Sequence, residues 1–126
     1  MFSDNKKHIL VVDDNVMLLR TVKDMLSDNY SVSIAVSSYQ AFESIKLRKP
    51  DLILLDYEMP EVDGAETMKK LHEHDDTKDI PVIFFTGSAK RETVTMLIKL
   101  NPVGYILKPP NKQNLIDQIE KVFAGK

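Results

Sequence analysis

The sequence contains no cysteine and no long apolar run, and each absence excludes a class of protein. Without cysteine among its 126 residues, the chain can form no disulfide, thiolate metal site or cysteine nucleophile. The N-terminal segment MFSDNKKH is too polar for a signal peptide, and no apolar run approaches the length that spans a bilayer. We therefore expect a cytoplasmic protein with no membrane partner.

The chain also lacks an excess of charge of one sign. Its 17 Lys and Arg residues nearly balance 19 Asp and Glu residues, for a net charge of −2. Nucleic-acid-binding domains typically carry a marked basic excess, so direct binding of nucleic acid is not expected. The length suits a single domain, which we expect to cover residues 1–126.

Histidine is scarce, and its spacing does not indicate a transition-metal site. His72 and His74 are two residues apart on a predicted helix, so their side chains face different directions. His8 precedes the first predicted strand. We expect all three side chains to lie at the surface.

Short apolar runs alternate with segments of helical periodicity. The runs ILVV, LILL, VIFF and YIL are too short for helices and rich in β-branched or aromatic residues, whereas SVSIAV alternates as a strand with one covered face does. Between the runs, apolar residues recur every three or four positions, which indicates amphipathic helices. The predicted strands cover residues 9–12, 31–36, 52–55, 82–85 and 105–107.

Polar residues with capping propensity lie near the ends of the predicted helices. A side-chain oxygen at the N-cap accepts a hydrogen bond from an otherwise unpaired backbone amide, and Asn tolerates the left-handed conformation that ends many helices. The predicted N-caps are Asp14 or Asn15, Ser37 or Ser38, Ser88 and Asn111, and Asn101 is predicted to end the fourth helix.

Strict alternation of strand and helix predicts an α/β fold with a parallel sheet covered by helices on both faces. Continuous apolar strands belong in the middle of such a sheet, so the first, third and fourth strands are predicted to be central. The doubly wound, flavodoxin-like (βα)5 order 2-1-3-4-5 satisfies this placement. Its ligand crevice lies beyond the carboxyl ends of the strands, where the order reverses between the first and third strands.

Chemically useful side chains follow the strands at this edge: Asp13 and Asp14, Asp56, Thr86 and Lys108. Two like charges about 4 Å apart repel by about 4 kcal/mol at an effective dielectric of about 20, so a cation is expected nearby. Three carboxylates form a hard-oxygen site suited to Mg²⁺, and an aspartate can be the nucleophile in phosphoryl transfer. Asp56 is central among these residues, although a solvated turn also explains the acidic pair when it is considered alone.

Four segments, in this order, resemble the receiver domain of bacterial two-component response regulators, of the chemotaxis-regulator-like kind. They are VVDDN, LLDYEMPEVDG, FFTG and YILKPP. The resemblance implies a phosphorelay protein in which Asp56 accepts a phosphoryl group. The donor would be the phosphohistidine of a sensor histidine kinase or phosphotransfer protein, or a small phosphodonor. It also implies a signalling phosphoacceptor, whose only catalysis is its own phosphorylation and dephosphorylation.

The resemblance further implies the ligands of a metal ion beside Asp56. Asp13, Asp14 or both would bind Mg²⁺ together with Asp56 and the backbone carbonyl of Glu58, and Mn²⁺ could substitute. Thr86 would hydrogen-bond the phosphoryl oxygens.

A second set of implied roles concerns Lys108 and the output surface. Lys108 would pair with the phosphoryl group, and Pro109 would follow a cis peptide bond. Tyr105 would change its exposure and alter the surface of the fourth helix, fifth strand and fifth helix, where a downstream target or a second copy would bind. Gly64 would open the third helix, and Gly87 stands where the family more usually has Ala.

Three other classes of protein fit the sequence less well. A flavin-binding protein of the same strand order needs small or hydroxyl-bearing residues around a phosphate after the first strand, where this chain has Asp13 and Asp14. A nucleotide hydrolase would need a G-x-x-x-x-G-K-[ST] segment, which does not occur. An interaction module that has lost phosphorylation would usually lack the acceptor or the lysine, and Asp56 and Lys108 are both present.

Overall fold

A computed structural model describes residues 6–59 and 64–125 and contains five strands that alternate with five helices in these ranges. The strands are β1 (His8–Val12), β2 (Ser31–Ala35), β3 (Leu52–Asp56), β4 (Val82–Thr86) and β5 (Gly104–Leu107). The helices are α1 (Val16–Leu26), α2 (Ser38–Leu47), α3 (Gly64–Glu73), α4 (Arg91–Ile98) and α5 (Lys112–Ala124).

The strands form one parallel sheet in the order β2-β1-β3-β4-β5, which confirms the predicted doubly wound fold. Every residue of β1, β3 and β4 is buried, whereas the edge strands β2 and β5 are partly exposed. The continuous apolar runs therefore identified the central strands correctly, because only these strands are covered on both faces.

The two faces of the sheet carry separate apolar clusters. Ile9, Val11 and Phe85 pack on one face with residues of α1 and α5, and Leu10 and Phe84 pack on the other with residues of α2, α3 and α4. Alternate residues of a strand point to opposite faces, so each central strand contributes to both clusters. This two-sided packing holds the strand ends rigidly.

Three predicted helix caps are confirmed and one is wrong. Asn15, Ser37 and Asn111 each accept a hydrogen bond from an amide of the helix that follows. Ser88 is not the N-cap of α4, since that helix begins after Lys90, which makes no side-chain capping bond. Ser88 Oγ instead accepts from the Lys90 amide at 3.2 Å, so the serine stabilises the turn before the helix.

Asn101 has φ of 62° after α4, as predicted for a left-handed helix end.

The surface location predicted for His8 is wrong, although His72 and His74 are exposed. His8 is the first residue of β1 and is 2% exposed. Its amide donates to Asp51 Oδ2 at 2.8 Å, and its Nε2 lies 2.7 Å from Ser33 Oγ. Because β1 is flanked by strands on both sides, even its first residue is covered.

Two strands run one residue further than their apolar runs. β3 includes Asp56 and β4 includes Thr86, so both side chains lie on the sheet itself. Gly64, the first residue of α3, makes close approach to this edge possible, because a Cβ there would lie 2.7 Å from the Asp56 carbonyl oxygen.

In the part of the chain that the structure describes, no helix is both long and apolar enough to cross a membrane.

Candidate functional site

The carboxyl ends of the central strands bring the predicted site residues to one edge. Asp56 and Thr86 are the last residues of β3 and β4, and Asp13 and Lys108 directly follow β1 and β5. Asp13 and Asp56 are each 1% exposed, and Thr86 is fully buried. The predicted convergence of these side chains on one crevice is confirmed.

Lys108 compensates the charges of the two buried aspartates. Its Nζ lies 2.9 Å from Asp13 Oδ2 and 3.0 Å from Asp56 Oδ1. The lysine side chain is 24% exposed, so its ammonium group reaches from the surface into the crevice. One cation therefore bridges carboxylates that belong to the two strands on either side of the topological switch.

Backbone amides also orient the two carboxylates. Asp13 Oδ1 accepts from the Asn15 amide at 2.9 Å, and Asp56 Oδ1 accepts from the Glu58 amide at 3.1 Å. Lys108 donates to the same oxygen of Asp56. Both hydrogen bonds seen at Asp56 within the described residues thus use Oδ1, which directs Oδ2 elsewhere.

The buried position of Asp56 raises the pKa of its carboxyl above the usual value. Burial is the main cause, and repulsion by Asp13 adds to it, while the hydrogen bonds from Lys108 and the Glu58 amide oppose it. Burial alone would lower the pKa of Lys108, but Asp13 and Asp56 together raise it. The lysine is therefore a fixed cation near neutral pH, and Asp56 is less readily ionised than an exposed aspartate.

The acidic residues also fit a divalent cation. Asp13, Asp14 and Asp56 can each offer one oxygen within 4.8 Å of the others. Asp13 Oδ2 is buried and accepts no hydrogen bond of good geometry. Its contact is the ion pair with Lys108 Nζ at 2.9 Å. A hard cation such as Mg²⁺ prefers carboxylate oxygens and water, and the exposed Asp14 leaves the site open to solvent.

The side chain of Glu58 belongs to the site as well, and sequence reasoning missed it. Its Oε2 accepts a hydrogen bond from Thr86 Oγ1 at 2.7 Å, and its Oε1 accepts from the Gly87 amide at 3.1 Å. The family resemblance implies a role only for the backbone carbonyl of Glu58. The available signal was an acidic residue two positions after Asp56, in the segment DYE.

Tyr105 shares a sheet face with Thr86. Tyr105 pairs with Phe84 in the register of β4 and β5, and Phe84 and Thr86 point to the same face because they are two residues apart. The tyrosine is 36% exposed.

The peptide bond between Lys108 and Pro109 is cis, as predicted.

Comparison with known proteins agrees with this arrangement. The family model of the response regulator receiver domain matches residues 9–120, so the chain belongs to that family. Receiver domains are the signalling domains of two-component systems, and the chain has their chemotaxis-regulator-like fold.

Individual relatives cover nearly the whole chain. A protein-glutamate methylesterase/protein-glutamine glutaminase of Trichodesmium erythraeum is 38% identical over 96% of this chain, which spans 36% of that relative's length. The chemotaxis protein CheY-3 of Vibrio cholerae is 30% identical, with 91% of this chain and 90% of the relative covered. A solved CheY-like receiver domain from Methanospirillum hungatei is 28% identical with a TM-score of 0.85, covering 96% of each chain.

Some relatives are much longer than this chain. The chain spans about a quarter (26%) of the transcriptional regulatory protein ZraR of Escherichia coli, with 34% identity over 92% of this chain. These longer relatives include sequence outside the part that matches this chain.

The raised pKa of Asp56 predicts how stability depends on pH. The folded state holds the Asp56 proton more tightly than the unfolded chain does, so ionisation costs stability as pH rises from the unfolded pKa through the folded pKa. In metal-free buffer, Asp56→Asn should therefore melt at a higher temperature than wild type at about pH 7, and the gain should vanish near about pH 3. Circular dichroism melts measure both.

The exposed Asp24 on α1 supplies the control for this experiment, because Asp24→Asn changes the net charge equally. Equal melting temperatures of Asp56→Asn and wild type at neutral pH would show that the buried, ionised Asp56 carboxylate does not destabilise the folded state.

Proposed function

We propose that this domain receives a phosphoryl group on Asp56 and passes the signal to a partner through α4, β5 and α5. The observation that carries the proposal is the position of Lys108 Nζ, within 3.0 Å of both Asp13 and Asp56 at the end of the central strands. Phosphoryl transfer needs positioning and neutralisation of charge more than covalent chemistry from the protein. A buried acceptor beside a fixed cation supplies both.

The transfer itself forms one bond and breaks one. Asp56 Oδ2, which is directed away from Lys108 and the Glu58 amide, bonds to phosphorus as the bond from phosphorus to the donor breaks. The electron pair leaves with the donor nitrogen or oxygen. A phosphohistidine of a sensor histidine kinase or phosphotransfer protein supplies the first kind of leaving group, and a small acyl phosphate supplies the second. Lys108 and Thr86 then contact the oxygens of the aspartyl phosphate.

Asp13, Asp14 and Asp56 would hold Mg²⁺, or Mn²⁺ in its place, together with the backbone carbonyl of Glu58. The bound ion supplies positive charge against the phosphoryl oxygens. The three carboxylates would otherwise repel an incoming phosphate. The phosphodonor is thereby accepted at a site that is acidic in the free protein.

The proposed output surface presents exposed apolar side chains. Thr86 gains a new acceptor when Asp56 is phosphorylated, and its movement would change the space available to Tyr105 on the same sheet face. A downstream target, or a second copy of the chain, would bind beside Lys90, Arg91 and Lys99. The apolar residues of this surface are Met96, Ile98, Val103, Tyr105 and Leu107.

The domain would act in the cytoplasm as a signalling switch rather than as an enzyme, with residues 1–126 forming one receiver unit. The partner determines the response, as the different output activities of the longer relatives illustrate.

Incubation with acetyl phosphate tests the acceptor. With Mg²⁺ present, wild type should gain the mass of one phosphoryl group, and Asp56→Asn should gain none because its amide is not a nucleophile. Intact-mass spectrometry measures the gain, and chelation of the metal should abolish it. Asp24→Asn, which lies outside the site, should be labelled like wild type. Comparable labelling of Asp56→Asn and wild type would refute the assignment.

Thr86→Ala tests the route to the output surface. The variant should still be labelled on Asp56, but beryllofluoride with Mg²⁺ should shift the NMR signals of α4, β5 and α5 less than in wild type. One hydrogen bond contributes about 1–3 kcal/mol, so a partial loss of response is expected rather than a complete one. Thr86→Ser keeps the hydroxyl and should respond as wild type does. A full response from Thr86→Ala would exclude Thr86 as the link.

A further inference from the structure

The Glu58 carboxylate occupies two hydrogen-bond donors at the end of β4. Its two oxygens accept from Thr86 Oγ1 at 2.7 Å and from the Gly87 amide at 3.1 Å. Thr86 is fully buried, whereas Glu58 itself is exposed. An exposed acidic side chain therefore folds back onto the sheet edge and pairs with a buried hydroxyl.

These donors lie beside the proposed acceptor. Asp56 pairs with Phe85 in the register of β3 and β4, so Thr86 and Gly87 are the next residues along the neighbouring strand. A phosphoryl group on Asp56 would bring several acceptor oxygens to this position. The hydroxyl and the amide each have one proton to donate, so they cannot bind Glu58 and the phosphoryl group fully at once.

We propose that Glu58 is an internal competitor of the phosphoryl group for Thr86 and Gly87. This inference rests on the proposed function. In the unphosphorylated protein, Glu58 holds Thr86 in place, and phosphorylation must displace the carboxylate before Thr86 can turn toward Asp56. The Glu58 amide donates to Asp56 Oδ1, so the competitor is tethered to the acceptor residue. The carboxylate can move into solvent because the residue is already exposed.

The competition should appear as reduced affinity for a phosphoryl analogue. When a binding-competent state is only partly populated, the apparent dissociation constant equals the intrinsic constant divided by the populated fraction. Removal of the Glu58 carboxylate should tighten binding of beryllofluoride in the presence of Mg²⁺ by about tenfold, if the competent state of wild type is populated at about a tenth. Removal of the negative charge of Glu58 would also tighten binding by weakening its repulsion of the analogue. A second comparison separates this effect from competition.

Titration of beryllofluoride at fixed Mg²⁺, followed through the Gly87 amide signal, measures the affinity. Glu58→Ala should bind about tenfold more tightly than wild type, and Glu58→Gln should be intermediate because its single carbonyl oxygen still accepts a hydrogen bond. In the free protein, both variants should shift the Gly87 amide signal. Glu92→Ala on α4 removes an acidic side chain outside the site and should match wild type. Unchanged or weaker binding by Glu58→Ala would overturn the proposal.

The same substitution in a Thr86→Ala background separates competition from charge. With Thr86 absent, Glu58 retains only the Gly87 amide, so its removal should improve binding by a smaller factor than in wild type. An equal gain in both backgrounds would mean that Glu58 does not compete for the Thr86 hydroxyl, which would also overturn the proposal.

Failure of this inference can be distinguished from failure of the proposed function. If wild type binds beryllofluoride only when Asp56 is present, but Glu58 has no effect, the acceptor assignment stands and the competitor is wrong. If Asp56→Asn binds the analogue as wild type does, the acceptor assignment fails and the competitor falls with it.

Discussion

The ion pairs of Lys108 with Asp13 and Asp56 are the interaction on which the whole site depends. Asp13 and Asp56 are each 1% exposed and both contact the same ammonium group. Two carboxylates buried so close together are not both ionised without a compensating cation. The compensation is incomplete, because burial and mutual repulsion still raise the pKa of Asp56. An acidic site that is under-compensated in the free protein is suited to binding a divalent cation, and phosphoryl oxygens once that cation is bound.

The parallel sheet makes this concentration of charge possible. Five strands that end at the same edge deliver side chains from distant parts of the sequence, and the apolar clusters on both faces fix the strand positions. Asp56 and Thr86 lie on the last residues of rigid strands, whereas Lys108 and Glu58 lie on the segments that follow. The proposed acceptor, Asp56, therefore lies within the sheet, and two of the groups that contact the site lie on connecting segments.

Most of the fold could be predicted from the sequence, and so could the meeting of Asp13, Asp56 and Lys108 at one edge, because the apolar runs and the polar residues after them are local signals. His8 was misplaced because its burial depends on the two strands that flank β1, which periodicity does not reveal. Ser88 was placed in the wrong role because it bonds the Lys90 amide before α4 begins. The Glu58 side chain was missed because its partners, Thr86 and Gly87, are 28 and 29 residues away in the sequence.

A crystal structure of the protein with Mg²⁺ and beryllofluoride tests the account most directly. It should show the beryllium group on Asp56 Oδ2 and the metal ion on the aspartates beside it, with Lys108, Thr86 and the Gly87 amide on the fluorides. The Glu58 carboxylate should have left both of its donors. A beryllium group bound away from Asp56 would contradict the account. So would a beryllium group on Asp56 with Lys108 still contacting only the two aspartates and Glu58 still on Thr86.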